Sequence, residues 1–162
     1  MLRRTRPDDA IRAFEIQLNW NVTRNLAKAG WPADRDEIAA WFETHAAEWS
    51  AGSGYRFAVL ESGTMVGVTD VDEIGNGEGS LGYWFDEQAW GKGFAQEAAG
   101  ALVEFSTDVL GLGRLVAGHA FDNPASGRVL RAVGFREVGT SELWSRPRGE
   151  TITEHRYERV GG

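Results

Sequence analysis

The sequence has no cysteine and only three histidines among its 162 residues. Without thiols there is no disulfide framework, no thiolate nucleophile and no thiolate metal site, and three scattered histidines offer no ligand cluster, so no metal is expected. Surplus positive charge is lacking too. The formal net charge of −7 argues against a general nucleic-acid or anionic-membrane binder and makes a cationic amine the more natural partner. No apolar run is long enough to span a bilayer, and the opening MLRRTRPDDA has no apolar signal-peptide core, which reads as a cytoplasmic chain. Repeats and low-complexity segments are missing as well. A hydrophobic content of 42% over this length suits one domain, residues 1–162, with a sizeable core.

What is present is LGYWFDEQAWGKGFAQE, from Leu81 to Glu97, which joins an aromatic strand to a helix through a glycine-rich turn. Beyond Gln88, Gly91 and Gly93, the apolar residues Phe94, Ala98, Ala101, Leu102, Phe105 and Val109 recur at helical spacing. The first N–H groups of such a helix have no intrahelical partner and, with its dipole, favour an anion, while glycines let the backbone come close to it. No GKS or GKT follows, so a Walker loop is unsupported, and no G-x-G-x-x-G follows a first strand as a dinucleotide fold requires.

Around this stretch the pattern alternates in kind. A short first strand precedes a helix opened by Pro7, Asp8 and Asp9; a second helical piece covers Val22 to Ala27; a third runs from the N-cap Asp34, with Glu37 three residues later, to Trp49. Tyr55 to Leu60 and Thr64 to Val71 form a hairpin, and Glu78 to Phe85 a further strand with Leu81, Tyr83 and Phe85 on one face and Glu78, Ser80, Gly82 and Trp84 on the other. After the central helix come a strand from Arg114 to Phe121, a helix capped by Asn123 with Pro124 at its first position, and a strand pair, Phe135 to Thr140 and Thr151 to Val160. The fold class is α+β, a mixed, mostly antiparallel sheet of about six to seven strands flanked by helices.

Gln88, Gly91 and Gly93 match the acetyl-CoA signature of the GCN5-related N-acetyltransferases (GNAT), and LGYWFDEQAWGKGFAQEA followed by DNPASGRVLRAVGF resembles the RimJ/RimL-like branch, which acetylates protein N-termini. The resemblance covers about Leu81 to Phe135. It implies a transferase that moves an acetyl group from acetyl-CoA to a primary amine, foremost a peptide N-terminal α-amine, by direct attack in a ternary complex. A small-molecule amine acetyltransferase and a non-catalytic acyl-CoA-binding module are the alternatives. A homodimer through the sheet or final hairpin is compatible with the pattern.

The same resemblance assigns roles. The backbone of Tyr83, Trp84 and Phe85 would grip the pantetheine arm, and amides along Gln88, Trp90, Gly91, Lys92, Gly93, Phe94 and Ala95 would hold the diphosphate, with Trp90 and Phe94 also readable as packing residues and Lys92 as a solvated lysine. Asn123 would lie near pantetheine and Ser126 near the sulfur; both also suit a polar first helical turn. Relatives of this branch often carry Glu where this chain has Ser80, which leaves Glu78, two residues earlier on the same strand face, as the candidate base or as a solvated carboxylate. Asp70, Asp72 and Glu73 either attract a cationic amine or form a solvated acidic loop, and His119 either shuttles a proton or packs.

Overall fold

Alternating apolar residues punctuated by small-residue turns specify a meander, and the computed structural model, which describes residues 1–161, shows one carried through seven strands. In chain order the elements are β1 (Leu2–Arg4), α1 (Ala10–Gln17), α2 (Trp20–Thr23), α3 (Arg35–Glu43), α4 (His45–Ala51), β2 (Tyr55–Glu61), β3 (Thr64–Gly75), β4 (Glu78–Phe85), α5 (Phe94–Glu104), β5 (Arg114–Ala120), α6 (Pro124–Ala132), β6 (Arg136–Ser145) and β7 (Glu150–Val160). The strand order is β1-β2-β3-β4-β5-β7-β6, antiparallel everywhere except between β4 and β5.

That one parallel pair is the feature that positions the site. It lasts only from Glu78 opposite Arg114 to Ser80 opposite Val116. Beyond it β4 keeps its full antiparallel register with β3, and β5 keeps its register with β7 as far as Ala120, so each strand follows its outer neighbour and the two part. The parted stretch leaves backbone groups of β4 without a strand partner.

Three clusters of buried apolar residues hold the sheet. On one side Val71, Leu81, Leu115 and Tyr157 pack with Leu102 of α5 and Leu130 of α6; on the other Ala58, Met65 and Val68 pack with Ala13 and Ile16 of α1 and Phe42 of α3. A third cluster joins Val59, Val66 and Phe85 to Ala89 and to Ala98 of α5. The expected alternation of β4 holds: Leu81 and Tyr83 join the first core while Trp84 joins the second. Asp34 caps α3 through the Asp36 and Glu37 amides at 2.9 and 3.0 Å, as its sequence context implies.

Several boundaries differ from expectation. The third helix breaks at Thr44, whose hydroxyl donates to Trp41 O at 2.6 Å and competes with the helical ladder. The second shrinks to α2, and residues 24–30 run on as turns. Asn123 makes no side-chain cap, because its backbone (φ −121°, ψ 64°) does not present the side chain to the first-turn amides; Pro124 does open α6. Strand β6 extends to Ser145, well past Thr140, since full pairing with β7 carries the polar Ser141 and Glu142. No helix of the described residues is long and apolar enough to cross a membrane.

Candidate active site

The Asp86 amide donates to Val66 O at 2.8 Å, so by the alternation of an antiparallel ladder Trp84 and Gly82 also turn their backbone groups toward β3. Tyr83 and Phe85 turn theirs toward the gap. Of the three residues expected to hold an extended arm, Trp84 is therefore excluded as a backbone partner. Phe85 offers mainly its amide, because its carbonyl accepts the Trp90 indole N–H at 3.1 Å. Trp90 is 47% exposed, so it is not the packing residue of the alternative reading but a half-solvated brace at the mouth of the gap.

The glycine turn divides into a satisfied and an open half. Asp86 Oδ1 accepts from the Gln88 amide at 3.2 Å, and the Ala89 and Trp90 amides donate to Asp86 O and Glu87 O, so the cradle does not begin at Gln88 as expected. Among the described residues, the amides of Gly91, Lys92, Gly93, Phe94, Ala95 and Gln96 donate to no other backbone group. Gly91 and Gly93 stand at φ +76° and +84°, and a Cβ at either would meet nothing within 4 Å. The loop is thus held in left-handed conformations around open space at a helix N-terminus, which fits a diphosphate. The Lys92 side chain is exposed outside this space.

Two cavities converge on the gap. One, of about 420 Å³, is lined by the glycine loop, Phe94, His119, Asn123 and Val129; the other, of about 480 Å³, by residues 25–30, α3, Asp70, Ser80 and Gly82. They share Asn25, Leu26, Tyr83, Trp84, Gly118 and Ser126. At this junction the Tyr83 hydroxyl lies 2.7 Å from Ser126 Oγ and 3.2 Å from Ser126 O. Burial, partly offset by the Ser126 hydrogen bond, pushes the Tyr83 phenol up to about 12, so it stays a protonated donor. Asn25 Oδ1, at the same junction, is buried without a hydrogen-bond partner, an open acceptor for an N–H in the gap.

Sequence reasoning gave Tyr83 a backbone role and missed its hydroxyl, because nothing in the linear pattern places position 83 beside position 126. His119 lines the smaller cavity with both ring nitrogens committed, Nδ1 to Ala120 O (2.8 Å) and Nε2 to Tyr157 Oη (3.1 Å). That is the arrangement of a packing residue. Glu78 lies at the closed end of the gap, bonded to Arg114 Nη1 at 3.1 Å, and lines neither cavity. The β4 alternation puts it on the expected face but too far back along the strand, so it is not positioned as the base.

The larger cavity is acidic and roofed. Its wall carries Asp34, Glu37, Asp70, Asp72, Glu73 and Glu154 against Lys28 and Arg156. Residues 24–30 are strapped over it by the turn between β6 and β7: Arg148 pairs with Asp122 through two 2.8 Å bonds and donates to Arg24 O, while Arg146 donates to Lys28 O and pairs with Glu37. The Arg148 hydrogen bonds hold the Asp122 carboxyl below the usual range. Among the described residues no three His, Cys, Asp or Glu side chains are grouped to hold a metal ion.

The chain matches the acetyltransferase (GNAT) domain over residues 1–136. Among curated proteins it is 26% identical over 164 residues to the uncharacterized N-acetyltransferase YoaA of Bacillus subtilis (99% of this chain, 92% of that protein) and 27% identical over 110 residues to the uncharacterized N-acetyltransferase p20 of Bacillus licheniformis (65% and 62%). Less than two thirds of p20's length is therefore spanned by the match. Among solved structures, the RimL ribosomal L7/L12 alpha-N-protein acetyltransferase in complex with coenzyme A superposes with a TM-score of 0.87 at 21% identity, covering 99% of this chain and 93% of that one. A mutant of the spermidine N-acetyltransferase SpeG from Vibrio cholerae superposes with a TM-score of 0.80 at 19% identity (99% and 94%). The parted β4–β5 pair, the open glycine loop and the family match agree: this chain belongs to the GNAT acetyltransferase family, whose acetyl donor is acetyl-CoA.

Proposed function

We propose that this protein acetylates the N-terminal α-amine of a protein or peptide by direct attack, with donor and acceptor bound together. The observation that carries the reading is the meeting of two cavities at one pair of hydroxyls, Tyr83 and Ser126. Acetyl-CoA supplies an activated acyl group as a thioester. The chain's own groups do the rest: the free amides of Gly91 to Gln96 receive the diphosphate, the gap-facing backbone of Tyr83 and the Phe85 amide align the arm, and the Tyr83–Ser126 pair donates a hydrogen bond to the departing sulfur. With no cysteine in the chain, there is no thiol to form an acyl-enzyme.

An α-amine with a pKa of about 7.7 to 8.0 is partly neutral near neutral pH, whereas a lysine near 10.4 lies about three units away. The α-amine therefore asks least of the site, and the RimL likeness supports it. The acidic larger cavity favours a second reading, a polyamine acceptor, for which the SpeG likeness speaks. We further propose a metal-free, cytoplasmic enzyme. Acetyl-CoA offered with N-terminal peptides, spermidine and aminoglycosides, products read by mass spectrometry, tests the assignment: acetylated peptide α-amines are expected, exclusive acetylation of spermidine selects the second reading, and no acetylated amine refutes both.

A further inference from the structure

Three carboxylates share one guanidinium at the floor of the larger cavity. Arg56 of β2, its side chain 9% exposed, donates to Asp70 Oδ2 at 2.6 Å and to Glu48 Oε2 at 2.8 Å, and lies 3.2 Å from Asp72 Oδ2. The cavity's other cations are already engaged: Lys28 with Glu73, Arg156 with Glu154, and Arg146 at the roof with Glu37. The floor thus carries more negative charge than positive.

Within this set Asp70 is singled out by register. It stands opposite Gly82, inside the parted stretch and one residue from Tyr83, whereas Asp72 stands opposite Ser80, the last β4 residue still paired with β5. Arg56 holds Asp70 Oδ2; Oδ1 accepts from no described residue, yet is not sealed in the interior. A Cβ at Gly82 would lie 2.9 Å from that Oδ1, so the glycine is what leaves room for the carboxylate on this face of β4. The Asp70 side chain is 13% exposed and lines the acceptor side of the gap.

We propose that Asp70 is the catalytic base: its free Oδ1, directly or across one water, takes the proton that the ammonium must lose, and Arg56 positions it. This rests on the acetyl-transfer reading above. The charged groups facing Asp70 are Arg56 from β2, Glu48 from α4 and Asp72 on β3, with Glu154 and Arg156 of β7 on the same cavity wall. Burial, reinforced by Asp72 and Glu48 and opposed by Arg56, raises its carboxyl to about 7, the range in which a base is both ionised and strong enough to work near neutral pH.

The step balances. Asp70 accepts one proton from R–NH3⁺; the freed nitrogen lone pair forms the C–N bond as the C–S bond breaks and its electrons leave on sulfur. Nitrogen's second proton replaces the one that sulfur receives through the Tyr83–Ser126 pair, and Asp70 returns its own proton to solvent. One ammonium and one thioester give one amide, one thiol and one released proton.

Carboxyl-labelled aspartate followed by carbon-13 NMR against pH, with Asp70→Asn to identify the signal, tests the inference on the protein without substrate. A midpoint near 7 is expected; a midpoint below about 5, in the ordinary aspartate range, overturns it. In kinetics, wild-type kcat/KM with an alanyl tripeptide and with spermidine is expected to share a limb near pH 7 that does not follow the acceptor's own pKa. Asp70→Asn is expected to lose that limb and about 10²- to 10⁴-fold in kcat/KM, with CoA affinity by calorimetry within about threefold. A variant that turns over with an unchanged profile removes Asp70 and leaves acetyl transfer standing, whereas a wild type that acetylates no amine removes the transfer reading itself.

Discussion

Removing the two hydroxyls at the cavity junction, singly and together, is the most informative perturbation of the donor side. Tyr83→Phe deletes the group 2.7 Å from Ser126 Oγ while keeping the ring in the core, and Ser126→Ala deletes its partner. A hydrogen bond to a charged group contributes about 1.5–3 kcal/mol, so if the pair stabilises a departing thiolate each single variant should lose about 10- to 150-fold in kcat. The Tyr83 phenol, raised to about 12 by burial, remains a donor through any practical assay range, so the loss should be independent of pH. Because the hydroxyls act as one relay, the double variant should be little worse than the weaker single one. The assay is initial rates at saturating acetyl-CoA, with CoA affinity measured in parallel by calorimetry. Losses that multiply, or that appear only as weaker CoA binding, would refute the relay.

Other consequences are simpler. Glu78→Gln should leave kcat within about twofold, since it removes only an exposed ion pair with Arg114, whose worth is below about 1 kcal/mol; a large loss in steady-state rate would restore Glu78 as a candidate base. Gly93→Val forces a branched residue to φ +84°, at a cost of about 1–2 kcal/mol or more, and should weaken CoA binding about tenfold or lower the melting temperature. Unchanged affinity and melting would contradict the strained cradle. The Asp70 carboxyl, about 7 when folded against 3.8 unfolded, makes the folded state bind more protons between those values, so unfolding free energy should fall as pH rises from about 4 to 7. That contribution is at most roughly 4 kcal/mol, and urea titrations of Asp70→Asn should show a flatter dependence.

Local chemistry was legible in the sequence; cross-chain geometry was not. The β4 alternation, the Asp34 cap and the Pro124 start follow from period and capping preferences, and the open glycine loop at a helix N-terminus follows from two glycines that precede an amphipathic helix. The division of that loop at Gly91 was not legible, because it depends on Asp86 turning its side chain back onto the Gln88 amide. Glu78 is the sequence's nearest substitute for a glutamate at position 80, two residues earlier on the same strand face, but the gap opens only after Ser80, where β5 leaves β4 to follow β7, and that depends on pairing between residues 34 to 46 apart in sequence. By sequence Asp70 reads as a solvated acidic-loop residue before a functional one, because the groups that set it apart, Arg56 bonded to it and Glu48 bonded to Arg56, come from another strand and a helix. The Tyr83–Ser126 contact likewise exists only once α6 is laid beside the parted strands.

On the function proposed above, one molecule of coenzyme enters between β4 and β5 and delivers its sulfur to the place where the two cavities meet. A crystal structure with CoA tests it most directly. The diphosphate is expected on the Gly91–Gln96 amides, the arm along Tyr83 and Phe85, and the sulfur within about 3.5 Å of the Tyr83 or Ser126 hydroxyl. CoA bound anywhere else, or a sulfur remote from both hydroxyls, would contradict it.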